Sequence, residues 1–131
     1  MDMSSWYQSL LKPDWAPPAW VFGPVWTFLY VLIIISFSYV GFLAFKKKIG
    51  FIILLPFLLN IIFNLLFTPL QFSLHNNVLA LLDVILVFLT LIWAMIVIYP
   101  FAQWVTWIQI PYLLWVSFAM LLQASITYLN R

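Results

Sequence analysis

The chain has 131 residues, of which 67% are apolar and 6% are charged, with five basic and three acidic side chains and a net charge of +2. A soluble domain carries roughly 25% charged residues, so the composition excludes an ordinary cytosolic domain, and the shortage of Lys and Arg excludes a nucleic-acid-binding tail. With no cysteine and one histidine, the sequence offers no disulfide framework and almost nothing from which to build a metal site, which leaves an integral membrane protein.

The first 19 residues differ in kind from the rest, because Pro13, Pro17 and Pro18 prevent one continuous helix. We predict an extramembrane segment over 1–19 that covers one end of a helical bundle. Spanning helices need about 20 mostly apolar residues, and the remaining sequence predicts four of them. The apolar stretch starts too late and is too long for a cleavable signal peptide. We therefore expect an all-α integral membrane protein, a single transmembrane domain with spans at about 20–45, 51–72, 78–99 and 103–129.

The orientation of the bundle is predicted from the positions of Lys and Arg, which are enriched on the cytoplasmic side. The run Lys46–Lys48 lies between the first two spans, whereas Lys12 and Arg131 lie on the other side. Because three basic residues lie on the side of the lysine run and two on the other side, we predict that the lysine run is cytoplasmic and that the N-terminal segment is outside. We expect a multi-pass protein of a bacterial cell membrane, in contact with the lipid bilayer.

The second span carries a polar stripe of Asn60, Asn64, Thr68 and Gln71, with spacings of four, four and three residues. These spacings place the four side chains on one helix face. An amide in hydrocarbon needs a hydrogen-bond partner, so we predict that the stripe faces other helices rather than lipid. It either joins helices to one another or lines a ligand pocket.

The third span contains Asp83, the one acid within the predicted spans. An ionisable residue inside a membrane is by default a candidate for function. Its position near the start of a helix equally favours a structural role, because the helix dipole stabilises an anion there. We expect Asp83 to be a structural polar residue or part of a site.

At a rise of ~1.5 Å per residue, polar or aromatic face residues from all four spans fall at one level, in the half nearest the N-terminal segment. A pocket walled by aromatic side chains with a few amides suits an apolar planar ligand. The face residues concerned are Trp26, Tyr30, Asn64, Gln71, Asp83, Tyr112, Trp115, Ala119, Leu122 and Gln123.

Several blocks of sequence also carry a family resemblance. They are Trp6-Tyr7, Leu11–Trp15, Pro17–Thr27, Leu29-Tyr30, Leu59-Asn60 with Asn64, Asp83-Val84, and Pro111–Trp115 with Phe118-Ala119. In this order, over nearly the whole chain, they closely resemble the translocator protein family, also called tryptophan-rich sensory proteins or peripheral benzodiazepine receptors (TspO/MBR).

The resemblance implies a membrane receptor or sensor that binds tetrapyrroles such as protoporphyrin IX within the bundle. Transport of the bound tetrapyrrole is a further function that the resemblance allows. Relatives also bind sterols and usually form homodimers, and the resemblance implies no required cofactor or metal beyond the tetrapyrrole ligand. The ligand-binding positions carried over by matching residue are Trp6, Tyr7, Pro17, Phe22, Trp26, Tyr30, Asn60, Asn64, Gln71, Trp115, Ala119 and Leu122.

Other readings remain open. Some relatives degrade porphyrin under light, which would place the chemistry at Trp26 and Trp115, and a structural bundle without ligand is a further alternative. An ion-coupled transporter is disfavoured, because its path needs several ionisable groups.

Family members have five spans, and the one that would precede Trp6 is missing here, so either the chain is a four-helix variant or its start lies further upstream. A homodimer would have to use bulky side chains, because residues 51–72 contain neither Gly nor Ala.

Overall fold

The structure is a computed structural model that describes residues 9–130, apart from the side chains of Ala19, Phe72 and Ser73. Within that range it contains helices and no strand, and four helical stretches are long and apolar enough to cross a membrane. The predicted all-α fold with four spans is therefore confirmed. A 3₁₀ turn and five α-helices follow in order, with a π-helical turn after the second: turn Ala19–Val21, α1 Phe22–Phe45, α2 Phe51–Thr68, π turn Pro69–Ser73, α3 Asn77–Ile98, α4 Gln103–Ile108 and α5 Ile110–Leu129.

The spans run alternately up and down, so the bundle has two distinct ends. We call the N-terminal side the end at which α1 begins, α2 ends, α3 begins and α5 ends. The opposite end, which we call the lysine side, holds the turn formed by Lys46–Lys48. Hydrogen bonds between the backbone of Leu11 and the side chain of Asn130 bring both ends of the described chain to the N-terminal side.

The lysine run terminates α1. Lys47 has a φ of 60°, and the N–H of Lys48 donates to the carbonyl oxygen of Leu43 at 2.9 Å. This is the arrangement of a Schellman cap, which satisfies the last carbonyls of a helix. The three charged lysine side chains therefore lie directly at the end of the apolar span.

Proline shapes the end of α2. Pro69 has no N–H and cannot donate to the carbonyl of Leu65, so the regular helical ladder stops at Thr68. A wider turn follows, in which the N–H of Leu74 donates to the Pro69 carbonyl at 2.9 Å. The second span therefore reaches its predicted end as a π turn rather than as regular α-helix.

Proline also divides the fourth span, which the sequence predicts as one helix. Pro111 leaves the carbonyl of Trp107 without its helical donor, and the helix is interrupted at Gln109. The buried Gln109 side chain donates to the Ser36 hydroxyl of α1 at 2.7 Å. This bond fixes the junction of α4 and α5 against the first span.

The helix α3 lies at the centre of the bundle, in contact with α2 along one side and α5 along another. Its buried face includes Val84, Val87 and Leu91. By contrast, α1 contacts α2 sparsely. Apolar side chains such as Ile34 and Leu65 point outward, as expected for helices that face lipid. The first span is thus attached to a more tightly packed body of α2, α3 and α5.

The N-terminal segment, described from residue 9 to residue 18, contains no regular helix from Leu10 onward. It lies across the N-terminal side of the bundle. Leu10 packs on Leu122 and Ile126 of α5, and the Trp15 ring meets the Phe118 ring edge-on with centroids 5.6 Å apart. The segment is therefore held over the end of α5.

Candidate functional site

A cavity of about 500 Å³ lies on the N-terminal side, between α1, α2, α3 and α5. Its volume is within the range typical of small-molecule sites. The wall is mainly aromatic and aliphatic, and it contains no charged side chain among the described residues. The aromatic members are Trp20, Phe22, Trp26, Tyr30, Phe67 and Trp115.

The aromatic rings hold one another in fixed orientations. Phe22 meets Trp115 edge-on, with centroids 5.8 Å apart. Trp26 lies beside Tyr30 with centroids 5.5 Å apart, and Trp115 lies 5.3 Å from Phe118. Such contacts stabilise the rings beyond their burial alone. Indole and phenyl faces from α1 and α5 thus border the same cavity.

A layer of hydrogen-bonded side chains, which we call the floor, joins the spans at the level of Asn64, and two of its members, Tyr30 and Asn64, are on the cavity wall. The hydroxyl of Tyr30 donates to Asn64 Oδ1 at 2.8 Å, and Asn64 Nδ2 donates to the hydroxyl of Tyr112 at 2.7 Å. The Tyr112 hydroxyl in turn donates to Asn60 Oδ1 at 2.9 Å. The ring of Trp26 lies above Tyr112, with centroids 6.4 Å apart.

Asn60 continues this floor to the third span. Its Nδ2 donates to the carbonyl of Val87 at 3.0 Å and to the Thr90 hydroxyl at 3.2 Å. One chain of hydrogen bonds therefore connects α1, α2, α5 and α3. Of the two roles that the sequence left open for the polar stripe, Asn60 joins helices, whereas Asn64 both joins helices and lies on the cavity wall.

A second polar cluster lies nearer the N-terminal side. Gln71 Nε2 donates to Gln123 Oε1 at 2.7 Å, and Gln123 Nε2 is 3.2 Å from the Thr127 hydroxyl. That hydroxyl donates to the carbonyl of Asn77 at 3.1 Å. Both glutamines lie on the cavity wall, so a pair of amides forms its rim.

One buried donor on the wall makes no hydrogen bond to any described residue. Trp115 Nε1 is enclosed and has no partner within the part of the chain that the structure describes. A buried donor without a partner carries a desolvation penalty of about 1–3 kcal/mol. An acceptor atom on a bound molecule would remove that penalty.

Most of the predicted ligand-binding positions lie on the wall of this cavity. Asn60 is not on this wall and lines a second hollow between α1 and α2 instead. Pro17 is not among the wall residues that the structure describes. Trp6 and Tyr7 lie outside the described residues. The predicted positions on the wall are Phe22, Trp26, Tyr30, Asn64, Gln71, Trp115, Ala119 and Leu122.

The predicted list of ligand-binding positions left out the other wall residues, although the helix faces had placed Gln123 at the level of the pocket and Thr68 on the polar stripe. Gln123 has the helical spacing of its neighbours on α5, and Phe67 flanks the polar stripe, so both had a detectable signal. The aliphatic members resemble any core residue and had none. The additional wall residues are Leu10, Trp20, Gly23, Phe67, Thr68, Val84, Val87, Val116, Gln123 and Ile126.

Asp83 is buried on α3, 4% exposed, yet it is not among the residues of the cavity wall. Its Oδ2 atom has no hydrogen-bond partner among the described residues. Those residues also contain no group of three His, Cys, Asp or Glu that could hold a metal ion. Asp83 therefore contributes no direct contact to the cavity.

Comparison with known proteins adds independent information. Residues 1–129 match the model of the TspO/MBR family. The chain is 35% identical over 127 residues to Protein CrtK of Rhodobacter capsulatus, covering 96% of this chain and 79% of that protein. It is 36% identical over 127 residues to Tryptophan-rich protein TspO of Bacillus cereus, covering 96% and 81%. Human Translocator protein is 31% identical over 118 residues, covering 86% and 68%.

The hydrogen-bonded floor predicts a large effect of one oxygen atom. Tyr112→Phe removes the hydroxyl and leaves Asn60 and Asn64 each without one partner, so we expect a loss of about 1–3 kcal/mol in stability. Thermal unfolding in detergent measures this loss. Tyr99→Phe is the control, because Tyr99 is 41% exposed on the lysine side. Equal melting temperatures for the two variants would contradict the role of the floor.

Proposed function

The chain belongs to the TspO/MBR family, and from this membership and the cavity we propose that it is a membrane receptor that binds a tetrapyrrole of the protoporphyrin IX type. The cavity on the N-terminal side is the binding site in this proposal. The observation that carries it is the aromatic wall, in which Trp26 and Trp115 approach one cavity from different spans.

A tetrapyrrole has a wide planar π surface, an apolar edge and, in protoporphyrin, two carboxylate side chains. The planar surface matches a site bordered by Phe22, Trp26 and Trp115. The Nε1 of Trp115, which has no partner among the described residues, supplies a donor for a ligand acceptor. The amide rim of Gln71 and Gln123 is the polar end of the cavity, where carboxylates would lie closest to water.

Binding without catalysis is supported by the chemistry of the wall. Its described residues include no carboxylate, imidazole or amine, so they provide no general acid–base pair. The human relative is named for translocation, and the proposal extends to sensing or movement of the ligand. Sterols and other apolar molecules are a second ligand class that the same aliphatic and aromatic surface would accept.

Titration with protoporphyrin IX tests the proposal. In lipid nanodiscs we expect saturable binding at micromolar concentration, followed by the porphyrin absorption band. Trp115→Phe keeps an aromatic ring but removes the free donor, so we expect affinity to fall by about tenfold. Trp26→Phe should also weaken binding, because it reduces the π surface on the wall.

Trp107→Phe is the matched control for both variants, since Trp107 is 60% exposed toward lipid. It should bind porphyrin like the original chain. Absence of saturation, or equal affinity for all three variants and the original chain, would overturn the proposed site.

Light-dependent degradation of the porphyrin is a second candidate, favoured by the presence of the indoles of both Trp26 and Trp115 on the wall. Any such chemistry would belong to the excited ligand rather than to a protein acid or base. Under the binding proposal, porphyrin in the complex bleaches in light no faster than in empty nanodiscs. Faster bleaching that Trp26→Phe and Trp115→Phe abolish would favour the enzyme.

We also propose that the lysine side is cytoplasmic, because Lys46–Lys48 outnumber the basic residues of the N-terminal side. The chain has no cysteine, so Asp14→Cys and Lys47→Cys each introduce a single thiol. In intact bacterial cells, a membrane-impermeant maleimide should label position 14 and not position 47. The reverse pattern would invert the orientation and place the cavity in the inner half of the membrane.

Association of two copies stays a prediction. The outward face of α2 presents Leu58, Ile62 and Leu65, which are bulky rather than small. A dimer formed there would be held by side-chain packing, without the close backbone approach that Gly and Ala allow.

A further inference from the structure

The lysine side carries positive charge that no acidic side chain balances among the residues that the structure describes. Those residues include two acids, Asp14 in the N-terminal segment and Asp83 near the start of α3, and both belong to the half of the bundle nearest the N-terminal side. Lys46–Lys48, by contrast, are all exposed and follow directly after the last residue of α1. Their charge therefore lies where the span leaves the hydrocarbon, at the level of the lipid headgroups.

A row of aromatic rings connects the lysine run to α4. Lys46 Nζ lies 5.8 Å from the centroid of the Phe42 ring and 6.0 Å from that of Phe45, close enough for attraction between the ammonium and the rings. The Phe42 ring stacks on Tyr39 with centroids 6.4 Å apart, and the Tyr39 ring lies 5.0 Å from the Trp104 ring. We call Tyr39, Phe42 and Trp104 the aromatic row, and Lys46 places a charge at its end.

The short helix α4 holds one end of this row in place. Val105 is fully buried, and the hydroxyl of Thr106 donates to the carbonyl of Met95 on α3 at 2.8 Å. With that side of α4 packed inward, Trp104 and Trp107 remain 42% and 60% exposed. Indole rings favour the boundary between headgroups and hydrocarbon, because they are apolar in body and carry one N–H. The row is thus fixed at the depth of a lipid's glycerol backbone.

We propose that the lysine run and the aromatic row together form a docking surface for an anionic phospholipid. The phosphate group pairs with Lys46–Lys48, while the glycerol backbone and the upper acyl chain pack on Tyr39 and Trp104. Charge complementarity selects an anionic lipid, because the choline of a zwitterionic lipid brings a second positive charge to the lysines. None of these residues lines the ligand cavity, so the docking surface is independent of the proposed tetrapyrrole site.

Native mass spectrometry of the protein from mixed-lipid nanodiscs measures this selectivity. The nanodiscs contain equal amounts of phosphatidylglycerol and phosphatidylcholine with identical acyl chains, and the ratio of the two lipids retained on the protein is recorded. We expect phosphatidylglycerol to be retained in excess. Equal retention of the two lipids would overturn the proposal.

A pair of charge-matched variants locates the preference. Lys46→Gln should lower the ratio about fivefold, the effect of one basic residue near an anionic surface. Lys12→Gln removes the same charge from the N-terminal side and should leave the ratio as it is. An unchanged ratio for Lys46→Gln, or an equal fall for both variants, would contradict docking at the lysine side.

A second pair distinguishes the aromatic row from a general interfacial belt. Trp104→Ala should reduce the phosphatidylglycerol retained, whereas Trp107→Ala, on the same helix but outside the row, should not. Equal effects of the two would overturn the role of the row.

Inorganic phosphate distinguishes a lipid from a free anion. Added in large excess, it should leave the retained phosphatidylglycerol unchanged, because phosphate makes no contact with the rings. Full displacement would show a simple anion site and overturn lipid docking. Porphyrin affinity should be the same for Lys46→Gln and the original chain, so this proposal and the proposed function fail separately.

Discussion

The structure depends on one requirement of the membrane interior: an amide among hydrocarbon must find a hydrogen-bond partner within the protein. Asn60 and Asn64 meet this requirement through partners on three other spans, and Tyr112 stands between them as both donor and acceptor. Interhelical hydrogen bonds of this kind contribute about 0.6–1.7 kcal/mol each. Their larger effect is on register, because a slip of one residue in any span would leave several polar atoms unpaired at once. The floor therefore fixes the heights of four helices relative to one another.

The arrangement of the side chains on the cavity wall depends on these fixed helix heights. Once α1 and α5 are held at a common height, Trp26 and Trp115 lie on the wall of one cavity, although 88 positions separate them in the sequence. On the N-terminal side of the bundle, Pro69 begins a π turn. This turn places the Gln71 side chain within hydrogen-bond distance of Gln123. The result is a graded environment, with paired amides at the bottom, aromatic faces in the middle and a second amide pair at the rim.

The sequence predicted the spans well, because length and apolar content alone determine which segments can cross a bilayer. Helical spacing also placed Asn64 and Gln71 on an inward face. Spacing could not tell that Asn60 would be absent from the cavity wall, since the difference depends on which partners other spans bring to each side chain. The same limit applies to Tyr112, whose position on an inward face was predictable but whose two asparagine partners come from another helix. Pro111 alone was enough to predict the interruption of the fourth span. That signal was missed because the hydropathy of residues 103–129 is continuously apolar.

The first span is connected to the rest of the bundle at two heights, and these connections differ in kind. The Ser36–Gln109 hydrogen bond joins two side chains that are both fully buried, whereas Tyr30, which bonds to Asn64, is 38% exposed. A buried polar pair is costly to separate because neither partner can turn to water. The connection toward the lysine side is therefore the more costly of the two to break.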